Sequence, residues 1–258
     1  PIFLACWAMS NATSKNTPNW LRCGSISPHT WPNCNNRQTR NVKRETGCER
    51  RISHDHVVPF TFHLLRPVCM KAMILAAGLG TRLKPLTDTT PKPLLPVAGT
   101  PMIVWNLLLL KRHGIRDVII NLHHLGTMIS QALGDGSALG MRILYSHEPV
   151  ILGTGGGIKQ AEAHFNDEPV LILNGDTLFE LDLGALMTFH RERHAAATLV
   201  LRKDPEAARW GLVEVTDGAE VVRITGRGLS EPTATSARMF AGIHILHPRL
   251  LRYLPSGR

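Results

Sequence analysis

Lys71-Ala72-Met73-Ile74-Leu75-Ala76-Ala77-Gly78-Leu79-Gly80-Thr81-Arg82 carries the pattern that decides the fold, and Pro91-Lys92-Pro93 follows nine residues after Arg82. The apolar run Ala72 to Ala77 has the composition of a strand buried on both faces. The glycines that interrupt it let the backbone turn sharply and approach a ligand closely. Successive loop N–H groups in such a turn form a concavity suited to phosphate oxygens. Arg82 adds a bidentate cation, and Lys92, between two prolines, adds a second on a stiffened segment. Two commoner glycine motifs do not fit: the dinucleotide fingerprint needs a third glycine where Leu83 stands, and the P-loop needs Gly-Lys-Ser/Thr after four spacers.

Working outward, strands and helices alternate. Thr100 is placed as an N-cap and Pro101 at the first helical position of a helix running through Trp105 and Leu110 to near Gly114. Strands are expected at Asp117 to Asn121, Met141 to Tyr145 and Pro169 to Leu173, then at Ala197 to Leu201, Leu212 to Val215, Val221 to Ile224 and Met239 to Leu246. Helices are expected from Leu125 to Leu133, from Gly155 to about Phe165 and from Asp182 to Arg193. This order implies an α/β fold, Rossmann-like, with a mostly parallel sheet and helices on both faces. Ligands of open sheets bind beyond the carboxyl ends of the strands, and Gly78, Asn121, Glu148 and Asp176 all stand at or just after such ends.

Three further constellations carry chemistry. Asn174-Gly175-Asp176 closes an apolar strand and puts a carboxylate where a hard cation on nucleotide phosphates could bind. His147-Glu148-Pro149 leads to Gly153-Thr154-Gly155-Gly156-Gly157, whose helix start offers free N–H groups. Gly226-Arg227-Gly228 presents a cation in a glycine-rich loop. His123 and His124 are adjacent after a strand and do not point together, so they are read as structural.

A strand, Gly-x-Gly-Thr-Arg, a short spacer and Pro-Lys-Pro together resemble the signature of the sugar-1-phosphate nucleotidyltransferases, from about Met70 to the last residue. The resemblance is greatest to mannose-1-phosphate guanylyltransferase-like and N-acetylmuramate-1-phosphate uridylyltransferase-like members. It implies the nucleotide-diphospho-sugar transferase fold, here C-terminally truncated, because relatives continue past Arg258 and supply a second magnesium-binding Asp there. It implies Arg82 and Lys92 as catalytic cations, with Ala77, Gly78, Gly80, Thr81, Asn121, Gly153, Thr154 and Gly155 around the nucleotide. Asp176 would hold Mg²⁺, and Gly211, Glu214 and Arg227 would lie on the sugar-phosphate side. Relatives carry Glu-Lys-Pro where Gly226-Arg227-Gly228 stands here, so the Glu that contacts sugar hydroxyls is missing. The reaction implied joins a nucleoside triphosphate and a sugar-1-phosphate, with GTP and mannose-1-phosphate placed first. Uridylyl transfer onto N-acetylmuramate-1-phosphate or glucose-1-phosphate, and a non-catalytic regulatory subunit, are the alternatives.

Residues 1–69 read differently. They hold nine Lys and Arg against three Asp and Glu, while the remaining residues hold twenty against seventeen, so the basic character belongs mainly to the first quarter. All five cysteines, Cys6, Cys23, Cys34, Cys48 and Cys69, lie there as well. No CxxC pair accompanies His54 and His56, which argues against zinc, and no recognisable nucleic-acid module accompanies the charge. Residues 1–69 are therefore expected to be a largely disordered extension, with residues 70–258 as the core and Met70 or Met73 as its natural start. Without cysteines the core has no thiol catalysis, and no apolar run is long enough for a membrane span. Cytoplasmic location and neither nucleic acid nor membrane as a partner are the resulting expectations.

Overall fold

The computed structural model describes residues 3–5, 70–228 and 236–254, all within one compact unit. Strands are β1 (Phe3–Ala5), β2 (Lys71–Leu75), β3 (Pro96–Val97), β4 (Thr100–Pro101), β5 (Asp117–Leu122), β6 (Arg142–His147), β7 (Val170–Asn174), β8 (Ala197–Arg202), β9 (Leu212–Val215), β10 (Val221–Ile224), β11 (Arg227–Gly228) and β12 (Ser236–Leu246). Helices are α1 (Leu86–Thr89), α2 (Met102–Arg112), α3 (Gly126–Leu133), α4 (Gly153–Gln160), α5 (Leu183–Glu192) and α6 (Ala207–Trp210). Phe3–Ala5 falls in the stretch expected to be an extension, yet it pairs in parallel with β8. The expectations for residues 6–69, the cysteines included, lie outside the described residues.

The main sheet runs in the order β11-β10-β9-β12-β7-β2-β5-β6. β7, β2, β5 and β6 are mutually parallel, which is the expected core. β12 turns the sheet antiparallel by pairing with β7, β8 and β9, and its register with β8 shifts between Phe240 and His244.

The unbroken apolar strands arise because both faces of the sheet are covered. Ala72, Ile74, Val118, Ile120, Leu171 and Leu173 face a core with Ile103 and Leu107 of α2, Ile129 of α3 and Leu186 of α5. Met73, Ile119, Val170 and Ile172 point the other way, onto Ile158 of α4, Phe165 and Leu251. Because four parallel strands end on the same rim, the loops after β2, β5, β6 and β7 converge there.

Some boundaries differ from the sequence reading. Thr100 and Pro101 form β4, hairpinned with β3. α2 therefore starts at Met102, with Pro101 as its N-cap residue before it. The helix after the triple glycine ends at Gln160 and continues only as a 3-10 turn, Glu162–His164. Asp182, expected inside the helix, stands before α5 as its N-cap and accepts from Ala185 N–H at 3.1 Å.

Candidate active site

A cavity of about 360 Å³ opens on the parallel rim. Its lining joins the Leu75–Leu83 loop to Lys92, Asn121, Glu148, Gly153, Thr154 and Asp176. The ends of separate strands thus supply one site, and the residues named from sequence divide into those that meet there and those that do not.

Ala77, Gly78, Gly80, Thr81 and Arg82 form the first wall. Gly80 adopts φ 66°, and a Cβ there would lie 2.8 Å from the Thr87 methyl, so only glycine fits this turn. Thr87 is buried, and its hydroxyl donates to Gly80 C=O at 2.9 Å, which pins the loop to α1. The N–H groups of Gly78, Leu79 and Gly80 have no backbone acceptor among the described residues, which leaves them available to an anion. Arg82 is exposed and makes no ion pair among the described residues.

Lys92 stands at the head of a 3-10 turn between Pro91 and the buried Pro93. Its Nζ donates to Asp176 Oδ2 at 2.5 Å, so the second cation and the predicted metal ligand meet across the cavity. Asp176 follows β7 on a turn held by Asn106, whose Nδ2 donates to the carbonyls of Asn174 (3.3 Å) and Thr177 (3.0 Å). Asn106 is buried within an otherwise apolar helix face, a polar anomaly that could have flagged it in the sequence.

The opposite wall is the start of α4, where Gly153 and Thr154 line the cavity. Asn121 also lines it, but its side chain is engaged internally. Its Oδ1 accepts from Ala76 N–H at 2.8 Å and its Nδ2 donates to Glu148 Oε1 at 2.7 Å. The other Glu148 oxygen accepts from Leu152 N–H at 2.9 Å, just before α4. His123 Nδ1 meets the Glu148 carbonyl at 2.8 Å, and His124 Nε2 meets the Thr87 carbonyl at 3.1 Å. The two histidines therefore tie opposite walls to the end of β5.

Gly155 is absent from the lining. So are Gly211, Glu214 and Arg227, which lie at the β9–β11 edge. Glu214 is held there by Arg223 through two hydrogen bonds of 2.6 Å, and those bonds keep its carboxyl below the ordinary range. The sequence places Glu148 at a strand end and within the His147–Pro149 segment but gives its side chain no partner, and it does not single out Leu79 or Ile151, although all three line the cavity.

Among the described residues no cluster of three acidic, His or Cys side chains is arranged for a metal. Asp176 still fits a cation held mainly by nucleotide phosphates, since Mg²⁺ commonly takes only one or two protein carboxylates. The cavity's other acid, Glu148, has both oxygens engaged.

Residues 71–255 match the family described as nucleotidyl transferase, and the chain belongs to that family. An N-acetylmuramate alpha-1-phosphate uridylyltransferase of Neisseria meningitidis is 50% identical over 191 residues, covering 73% of this chain and 80% of that protein. A mannose-1-phosphate guanylyltransferase of Mycobacterium tuberculosis is 35% identical over 187 residues, covering 72% of this chain. The chain spans about half the length of that second relative, 51%. Among solved structures, HddC from Yersinia pseudotuberculosis superposes with a TM-score of 0.60 at 25% identity, covering 72% of this chain and 80% of that one. The nucleotide-diphospho-sugar transferase fold expected from the sequence is thus the fold of the chain. No helix among the described residues is long and apolar enough to cross a membrane.

Proposed function

We propose that the chain transfers a nucleotidyl group from a nucleoside triphosphate to a sugar-1-phosphate and releases pyrophosphate. The observation that carries this reading is the convergence of Gly78–Arg82, Lys92, Asp176 and the start of α4 on one cavity. A sugar-1-phosphate oxygen is already anionic at neutral pH and needs no general base. It attacks the α-phosphorus, forms a new P–O bond and breaks the bond to the β-phosphate oxygen, which leaves with its electron pair as pyrophosphate. The barrier is the repulsion between two anions and the charge on the leaving group, so fixed cations and positioning are the appropriate catalysts.

Arg82 sits on the phosphate loop and would neutralise the departing pyrophosphate. Lys92 would draw the α-phosphate and the sugar phosphate together. The N–H groups of Gly78 to Gly80 would cradle phosphate oxygens, and the start of α4 would face the nucleoside. Asp176 would hold Mg²⁺, which supplies further neutralisation of phosphate charge. Gly211, Glu214 and Arg227 would serve the sugar-phosphate side only by approach of the β9–β11 edge. A cytoplasmic location accords with substrates of this kind.

For the base and sugar, uridylyl transfer onto N-acetylmuramate-1-phosphate is supported by the 50% identity to the Neisseria meningitidis relative. Guanylyl transfer onto mannose-1-phosphate, put first on the sequence alone, is the second reading and is supported by the 35% identity to the Mycobacterium tuberculosis protein. The test is pyrophosphate release with Mg²⁺, crossing GTP, UTP, dTTP, CTP and ATP with the 1-phosphates of N-acetylmuramate, mannose and glucose. One dominant pair that is lost in Arg82→Ala and Asp176→Asn is expected. Nucleotide binding without release from any pair would support a non-catalytic role instead.

A further inference from the structure

Two opposite charges that line the cavity are paired with each other. Lys92 Nζ and Asp176 Oδ2 are 2.5 Å apart, with the side chains 24% and 38% exposed. This pairing is neither a buried structural bridge nor a freely solvated one. It joins the two groups that, on the function proposed above, face phosphate and cation. Arg82, in the same cavity, has no ion-pair partner among the described residues. Glu148 offers no alternative carboxylate, because Asn121 and Leu152 N–H already occupy it.

We infer that Lys92 and Asp176 mask each other in the ligand-free protein, so that divalent cation and polyphosphate are taken up together. A cation arriving alone has to displace the ammonium from the carboxylate and leaves Lys92 without a partner. A polyphosphate arriving alone draws Lys92 away and leaves Asp176 beside an anion. When both arrive, the carboxylate turns to the cation and the ammonium to phosphate, and every charge keeps a partner. By linkage each ligand strengthens the other by the same factor. The inference rests on the proposed function and adds to it the coupling between two ligands.

The experiment measures ligands one at a time on the whole 258-residue chain. Mn²⁺ binding without nucleotide is followed by electron paramagnetic resonance, and pyrophosphate binding without divalent cation by calorimetry in EDTA. Lys92→Ala should bind Mn²⁺ alone about tenfold more tightly than wild type, a change in the range of ordinary site coupling. Lys92→Gln, which keeps most of the stem, should do the same. Asp176→Asn should bind pyrophosphate alone about tenfold more tightly, by the same coupling. Arg82→Ala removes an equal charge from the same cavity and should leave Mn²⁺ affinity within about twofold of wild type if the pair, and not the general field, is responsible. Unchanged Mn²⁺ affinity in both Lys92 variants, or an equal gain in Arg82→Ala, overturns the masking. Wild-type protein that takes up Mn²⁺ and nucleotide together would in that case leave the proposed function standing. Failure to bind any nucleotide even with Mn²⁺ would remove that function and the masking with it.

Discussion

Asn121 bridges two walls of the cavity with one side chain: its Oδ1 accepts from Ala76 N–H and its Nδ2 donates to Glu148 Oε1, at 2.8 and 2.7 Å. Ala76 follows β2, Asn121 lies in β5 and Glu148 follows β6, so the network locks three neighbouring parallel strands at the ends where the site is built. Asn121 and Glu148 are both buried, at 3% and 4% exposure. A polar side chain this deep is tolerable because Asn121 Nδ2 and Leu152 N–H each meet one of its oxygens, while His123 meets the backbone carbonyl of the same residue.

Asn121→Ala removes a donor and an acceptor together and strands both Ala76 N–H and one Glu148 oxygen. An unsatisfied buried group costs about 1–3 kcal/mol, more when charged. The variant should therefore lose about 3 kcal/mol of stability, read as a lower urea midpoint with an unchanged slope. A midpoint equal to that of wild type would show that water replaces the amide and that the network is not what fixes the walls.

The triple glycine of α4 separates two roles that look alike in the sequence. A Cβ on Gly157 would lie 2.5 Å from Glu148 Oε1 and 2.8 Å from Asn121 Nδ2. A Cβ on Gly155 would meet only Leu254 methyls, at 3.8 and 3.9 Å. Gly157→Ala should therefore push the network apart, destabilise the protein and weaken nucleotide binding. Gly155→Ala should be neutral or gain up to about 1 kcal/mol from helix propensity, with nucleotide affinity retained. Thermal melts and nucleotide titrations of the two variants check this, and loss of nucleotide affinity in Gly155→Ala would restore Gly155 to the binding set.

The fold and part of the cavity lining are legible in the sequence for a local reason. Local rules decide that Ala72 to Ala77 is an extended run, that Gly78 breaks it and that Lys92 is stiffened by prolines. The parallel rim follows from alternation alone, and Gly78, Asn121, Glu148 and Asp176 fall on it as residues at or just after strand ends, whereas Arg82 and Lys92 are placed by the Gly-x-Gly-Thr-Arg and Pro-Lys-Pro motifs. What Glu148 does depends on which side chain faces it across 27 residues of sequence separation, and no period or spacing encodes that partner. Asn121 stands at a strand end and lines the cavity, but its hydrogen bonds point inward. Glu214 is implied only by the resemblance, and its bidentate partner Arg223 faces it from the neighbouring strand β10 across a register shift that no local pattern gives.

Two histidines should make the protein sensitive to mild acid. His190 is 3% exposed, with Nδ1 2.9 Å from Thr198 Oγ1. Burial first, then the positive fields of His247 and Arg249, push its pKa from 6.5 down to about 4. Burial likewise pushes His244 down to about 4. The unfolded state protonates these rings near the ordinary value of 6.5, while the folded state holds them neutral until near 4. Between those values the unfolded state binds more protons, so stability is full above about pH 6.5 and falls as pH drops toward 4. His190→Asn keeps a polar partner for Thr198 and does not titrate, so its urea midpoint should fall less over this window. An identical fall would assign the acid sensitivity to His244 or to other groups.

Arg82 offers the clean separation of catalysis from folding. It is exposed, lines the cavity beside the Gly78–Gly80 turn and makes no ion pair among the described residues. Its removal deletes no ion pair on which folding depends, so Arg82→Ala should melt within about 0.5 kcal/mol of wild type, the usual range for a surface substitution. If its guanidinium neutralises charge that develops on the leaving pyrophosphate, turnover should fall on the order of 10²–10³-fold, as for other preorganised transition-state donors. The fall should appear in kcat more than in KM, because the charge it meets grows during bond cleavage. Arg82→Lys keeps the charge but loses the bidentate fork and should recover only part of the rate. A variant that instead raised KM alone would place Arg82 on the bound triphosphate in the ground state and move the transition-state role to Lys92.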